Sequence, residues 1–121
     1  MILPIDIEGM RFDIEMTAKF GAKLRYLAQK SLREADAIEK IKDPGTRNAR
    51  TVSFLSGVID AILGDGAIER IFSDRTPDLF DLSDMLLYIC DTYNEYQQRR
   101  IAGYAARRAE CMEKEGSWIK N

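Results

Sequence analysis

This sequence predicts a mainly α-helical fold: a small bundle of three main helices with a short N-terminal β-hairpin and a long, partly projecting C-terminal helix. Three observations carry that expectation. Apolar residues recur at helical spacing from Thr17 onward. Pro and Gly clusters break the pattern at Asp43-Pro44-Gly45 and at Gly64-Asp65-Gly66. Strict apolar–acidic alternation is confined to the first fifteen positions.

Each element has its own reason. Ile5 and Ile7 alternate with Asp6 and Glu8, and after Gly9 Phe12 and Ile14 alternate with Asp13 and Glu15, so residues 1–16 read as a hairpin whose apolar side packs on helices. Helix one spans 17–42, capped by Thr17, with Phe20, Leu24, Leu27, Leu32, Ala35, Ile38 and Ile41 as its apolar face; Pro44 and Gly45 stop it. Helix two spans 46–63, burying Val52, Leu55, Val58, Ile59, Ile62 and Leu63, and ends at Gly64-Asp65-Gly66. A short helix, 67–72, presents Ile68, Ile71 and Phe72 to the core. Pro77 at a first helical position, behind Thr76 as cap, starts a long helix over 77–112, with Leu79, Leu82, Leu86, Ile89, Tyr93 and Tyr96 as its stripe. Glu95 and Arg99 form a supporting i,i+4 pair, Gly103 is the expected weak point, and 113–121 forms a flexible tail.

The 121 residues, 45% hydrophobic and 31% charged, fit one globular domain, 1–121, rather than a disordered chain. Eighteen basic residues against twenty acidic ones leave a net charge of −2, so any cationic site is local rather than a property of the whole surface. The longest apolar run, Met85 to Ile89, is far shorter than the ~20 residues needed to cross a bilayer, and no membrane partner is expected. The opening MILPIDIEGMRFDIE lacks a secretory pattern, which predicts a cytoplasmic location. Cys90 and Cys111 fall on one predicted helix ~30 Å apart, too far for a disulfide, and are read as reduced thiols.

Signals of chemistry are few. The chain has no histidine, the usual general base near neutral pH and the commonest transition-metal ligand, and its cysteines lack CxxC spacing. Gly64-Asp65-Gly66 lacks the GxxxxGK[ST] pattern of a phosphate loop and reads as a helix end and turn. Asp84, Asp91 and Glu95 share a helical face that either holds a divalent ion or is simply solvated, and the solvated reading is preferred. Cys90, beside Ile89, reads as a small core residue. No catalytic residue, cofactor or metal is expected, and the chain is read as not an enzyme.

The most suggestive polar feature runs from Gln97 to Arg108. It carries Arg99, Arg100, Arg107 and Arg108, with Ile101 and Tyr104 between them and no acid. Such a segment can contact phosphate or an RNA base, grip an acidic partner helix, or merely solubilise a helix; a solvated or protein-binding role is preferred.

Three stretches carry a resemblance to a known family. Gly9-Met10-Arg11-Phe12-Asp13-Ile14 has the form Gly-x-x-Phe-x-Ile leading into a helix. Ile59 to Leu63 is followed by Gly64-Asp65-Gly66-Ala67 and then Ile71-Phe72. Tyr104-Ala105-Ala106-Arg107-Arg108 closes the long helix, without the Pro-Asn insert often found there. Over roughly 7–109 the chain resembles the small tail assembly chaperones of long-tailed bacteriophages and prophages of Gram-positive bacteria.

The resemblance implies a non-enzymatic viral protein, made in the cytoplasm of the bacterial host and missing from the mature virion. Such a protein binds the tail tape measure protein and keeps it soluble until tail tube protein polymerises around it. It also implies further partners: the tail tube protein and a frameshifted longer form of the chain itself. A holdase needs accessible apolar groups with polar flanks, and the long helix offers Met85, Tyr88, Tyr93, Tyr96, Arg99, Arg100, Ile101, Tyr104, Arg107 and Arg108 as that surface, with homo-oligomerisation as a way to cover it; for Met85 and Tyr93 the ordinary core is an equal alternative. Two other classes stay open: a small helical nucleic-acid-binding or regulatory module using Arg99 to Arg108, and a structural phage head–tail component.

Overall fold

The computed structural model describes the backbone of residues 2–119 and the side chains of residues 2–112. The elements follow in the order β1 (Ile2–Ile7), β2 (Met10–Glu15), α1 (Ala18–Glu39), α2 (Pro44–Leu63), α3 (Ala67–Ile71) and α4 (Leu79–Ile119). The chain is mainly helical, with an N-terminal hairpin and a long C-terminal helix. It divides into two units, Met1–Ile89 and Cys90–Asn121, so that α4 contributes to both. The expected tail, 113–121, falls on positions whose side chains lie outside the described residues, although the α4 backbone continues past Met112 to Ile119.

In the first unit, the hairpin turns at Glu8 (φ 50) and Gly9 (φ 77), the paired positive φ values of a type I′ turn, whose twist suits two antiparallel strands. The register pairs Leu3 with Ile14, Ile5 with Phe12 and Ile7 with Met10, which puts the apolar partners on one face. Leu3, Ile5, Ile7, Phe12 and Ile14 are buried there, and β2 meets α2. The other face is wet: Arg11 donates to Asp13 at 2.7 Å, with both side chains largely exposed.

The core is completed by Val58 and Ile59 of α2, Ala67, Ile68 and Ile71 of α3, and Leu82, Met85 and Ile89 of α4. Ile5, Ile59 and Leu82 are the largest fully enclosed side chains. At ~25 cal/mol per Å² of apolar surface removed from water, each stabilises the fold by about 1.5–3 kcal/mol.

Helix α1 departs from expectation. Thr17 caps it as predicted, its hydroxyl accepting from the Phe20 N–H at 3.1 Å, but the helix buries none of its 22 residues. Phe20, Leu24, Leu27 and Ile38 are only half-buried, Ala35 is exposed, and Leu32 is 76% exposed. Helical spacing selects a face; it does not say how much of that face another element covers. Here α1 packs against α2 alone to any extent, helped by an Arg50–Glu34 ion pair at 2.7 Å.

Two helix starts also shift. α2 begins at Pro44, not Thr46, because the Asp43 carboxylate caps it, accepting from the Thr46 N–H at 2.9 Å and from its hydroxyl at 2.7 Å. Arg47 folds back to donate to the Ile41 carbonyl and closes the corner. α4 begins at Leu79, with Asp78 in place of Thr76 and Pro77 at the start. Asp78 and Asp81 cap each other reciprocally: the Asp81 N–H donates to the Asp78 carboxylate at 2.8 Å and the Asp78 N–H to the Asp81 carboxylate at 3.0 Å. That is a capping box built from two aspartates.

Between α2 and α3 the chain turns on two glycines in conformations that side chains resist, Gly64 at φ 119, ψ 154 and Gly66 at φ 79, ψ 7. The Asp60 carboxylate reaches across this turn and accepts from the Ile68 N–H at 2.9 Å. Ile68 and Ile71 are locked into the core as expected. Phe72 is half-buried and carries the Arg75 guanidinium 4.9 Å from its ring centre.

No helix among the described residues is long and apolar enough to cross a membrane.

Candidate partner-binding surface

Among the described residues, the first unit carries at least two open clefts. One, of about 510 Å³, lies where α1, α2 and the start of α4 fail to close on one another, with Ile38, Phe54, Leu55 and Leu86 among its walls. Ser31 and Thr51 also line it, and both hydroxyls are turned back onto carbonyls of their own helices, Leu27 at 2.7 Å and Arg47 at 2.8 Å. The cleft therefore presents a surface that is chiefly apolar.

The second cleft, of about 300 Å³, is acidic. Asp6 and Glu8 reach it from the end of the hairpin, Asp81 and Asp84 from the first turns of α4, and Phe72, Met85 and Tyr88 supply an apolar floor. Its one cation is Arg75, which holds Asp81 bidentately, the second contact measuring 3.1 Å. That guanidinium, with the Asp78 N–H, pulls the Asp81 carboxyl down to about 2, and the Asp81 carboxylate in turn raises Arg75.

The second unit is helical throughout its described part. Tyr93 and Tyr96 are half-buried, and the Tyr93 hydroxyl accepts from the Gln97 amide at 2.8 Å. Every described side chain from Gln98 to Met112 is exposed, including Ile101 at 59% and Tyr104 at 62%. Arg99 meets Glu95 at 3.6 Å across one turn, as expected, but both are so open to water that the pair contributes little. Arg100, Arg107 and Arg108 form no ion pair among the described residues. Offsets of three and four residues put Arg100, Tyr104 and Arg107 on one face, and Ile101, Tyr104 and Arg108 on the next, with Tyr104 shared.

The ten residues expected to contact a partner therefore separate. Met85 is buried in the core of the first unit, and its side chain is withdrawn from any partner except through the floor of the acidic cleft. Tyr88, 44% exposed, belongs to that cleft. Tyr93, Tyr96, Arg99, Arg100, Ile101, Tyr104, Arg107 and Arg108 belong to the second unit, and the last six of these are open to solvent. Cys90, expected in the core, is exposed; partial desolvation and the neighbouring Asp91 charge raise its thiol above the ordinary value.

Sequence reasoning missed the acidic cleft. Asp6 and Glu8 are separated from Asp81 and Asp84 by most of the first unit, and only the tertiary fold joins them.

Comparison with known proteins adds nothing to this geometry. No family model, curated protein or solved structure matches the chain. Among the described residues no group of three or more Cys, Asp or Glu side chains is arranged to hold a metal ion.

Proposed function

We propose that this chain is a non-enzymatic tail assembly chaperone that binds a tape measure protein and keeps it soluble while tail tube subunits assemble around it. One observation supports the reading beyond resemblance: the segment from Gln98 to Met112 is a helix with all of its side chains exposed, and its large apolar groups, Ile101, Tyr104 and Met112, are set among four arginines. A helix that buries no face is marginal by itself in water, and most helices in proteins gain their stability by packing. Tyrosine and arginine are the residues that most often anchor protein interfaces, and a long apolar client with polar flanks would cover both kinds of group. The half-open apolar cleft beside α1 offers such a client further surface.

The test is co-expression with the tape-measure-like product of the neighbouring gene, with any frameshifted longer form also supplied. The expected result is a soluble client that co-purifies with this chain and loses that association on Tyr104→Glu. A client that stays insoluble and unbound overturns the reading, and stable incorporation into finished particles would assign the chain to the head–tail structure instead.

A second reading rests on Arg100, Arg107 and Arg108, whose lack of ion-pair partners among the described residues suits phosphate. It requires binding to RNA or DNA that weakens steeply with salt and is lost when these arginines are replaced.

A further inference from the structure

Each unit, taken by itself, carries a cluster of one charge. The acidic cleft gathers Asp6, Glu8, Asp81 and Asp84 around Phe72, Met85 and Tyr88. Its one cation is spent on Asp81. Asp6 stands opposite Arg11 across the strands, but that guanidinium is held by Asp13. Asp6, Glu8 and Asp84 therefore form no ion pair among the described residues. The second unit carries the complement: Arg100, Arg107 and Arg108, which form no ion pair among the described residues, arranged around exposed Ile101 and Tyr104.

We propose that the arginine-bearing helix of one copy docks in the acidic cleft of a second copy of this chain, so that the protein associates with itself through its own opposite charges. The match is one of composition as well as sign. Carboxylates surround an apolar floor on one side, and guanidiniums surround an aliphatic and an aromatic side chain on the other. A single exposed ion pair would hold very little. Several charges arranged around an apolar contact are different, because Tyr104 and Ile101 shed water against Phe72 and Tyr88 while the arginines set register and speed encounter. Guanidinium groups suit this contact, since each engages a carboxylate with two parallel hydrogen bonds. If each copy fills the other's cleft, the pair closes as a dimer; if the contact runs one way, it propagates as a chain of copies. The association needs no client, so it stands or falls separately from the chaperone reading.

The experiment is sedimentation and light scattering of the full chain over a range of concentrations, in low salt and in about 0.5 M NaCl, where the Debye length is only roughly 4 Å. The expected result is concentration-dependent association that weakens at least about tenfold in high salt. Arg100→Glu with Arg107→Glu, and separately Asp84→Lys, should each give monomers that remain helical by circular dichroism. Mixing the two variants should restore a complex, because the native helix of one then meets the native cleft of the other. Glu8→Lys is the cleft variant to use if Asp84→Lys fails to fold. A wild-type chain that is monomeric at every concentration in low salt overturns the proposal. So does association that survives these folded variants or high salt unchanged, and so does a mixture that stays monomeric.

Discussion

The carboxylate of Asp60, on α2, accepts a hydrogen bond from the backbone N–H of Ile68, on α3, at 2.9 Å. It spans the Gly64-Asp65-Gly66 turn and satisfies an N–H at the start of a short helix whose Ala67, Ile68 and Ile71 side chains are in the core. Replacing Asp60 with Ala leaves that buried donor without its acceptor and should destabilise the protein by about 1–2 kcal/mol, read as a lower urea midpoint. Asp60→Asn keeps an acceptor oxygen and should recover most of the loss. Equal effects of the two variants would mean that the bond does not hold the junction.

The two glycines of the same turn should differ in their tolerance. A Cβ at either position meets nothing within 4 Å, so the cost lies in the backbone alone. Gly64, at φ 119 and ψ 154, occupies a region essentially reserved for glycine, and Gly64→Ala should cost of order 1–3 kcal/mol. Gly66, at φ 79 and ψ 7, is left-handed; Gly66→Ala should cost about 1 kcal/mol, with Gly66→Asn milder. Chemical denaturation of the three variants gives the order directly.

Acid should act at the start of α4. The Asp81 carboxyl is lowered in the folded chain to about 2, first by Arg75 and then by the Asp78 N–H, whereas in the unfolded chain it titrates near its ordinary value of 3.8. Its stabilising effect is therefore fully present above the unfolded value and is lost as pH falls through the folded one. Asp43, lowered by its bonds to Thr46, acts in the same direction. Urea midpoints should fall as pH drops below about 4, and Asp81→Asn should show a shallower dependence in that range.

On α4, exposure predicts opposite outcomes for two similar changes. Met85→Glu puts a charge into the core and should leave the chain unfolded or severely destabilised. Tyr104→Glu alters an open surface and should shift stability by no more than about 0.5 kcal/mol, while abolishing the client binding proposed above. Circular dichroism melts and a pull-down on the same two variants would settle both halves.

Much of the architecture was legible because it depends on local signals. Alternation marked the hairpin, glycine and proline marked the breaks, and Thr17 marked a cap. The helix starts were less legible because capping groups compete: Asp43 outcompetes Thr46, and the reciprocal pair Asp78 and Asp81 outcompetes Thr76 with Pro77. Leu32 and Ala35 show a second limit, since a periodic stripe fixes direction but not cover. The arginine segment could be read in advance because its members are neighbours in the chain. The acidic cleft could not, because Glu8 and Asp84 are brought to one place by the packing of the hairpin and α4.

Helix α1 gives the protein two tiers of protection. Its backbone bonds are sheltered by half-covered side chains and by the exposed Glu34–Arg50 pair, whereas Ile59 and Leu82 lie in a closed core. Amide hydrogens of α1 should therefore exchange through opening of that helix alone, while those near Ile59 and Leu82 wait for global unfolding. Each such opening should bare the side of α2 that holds Phe54 and Leu55 while the rest of the unit stays folded. The apolar area that the first unit shows to water should therefore depend on how often α1 opens.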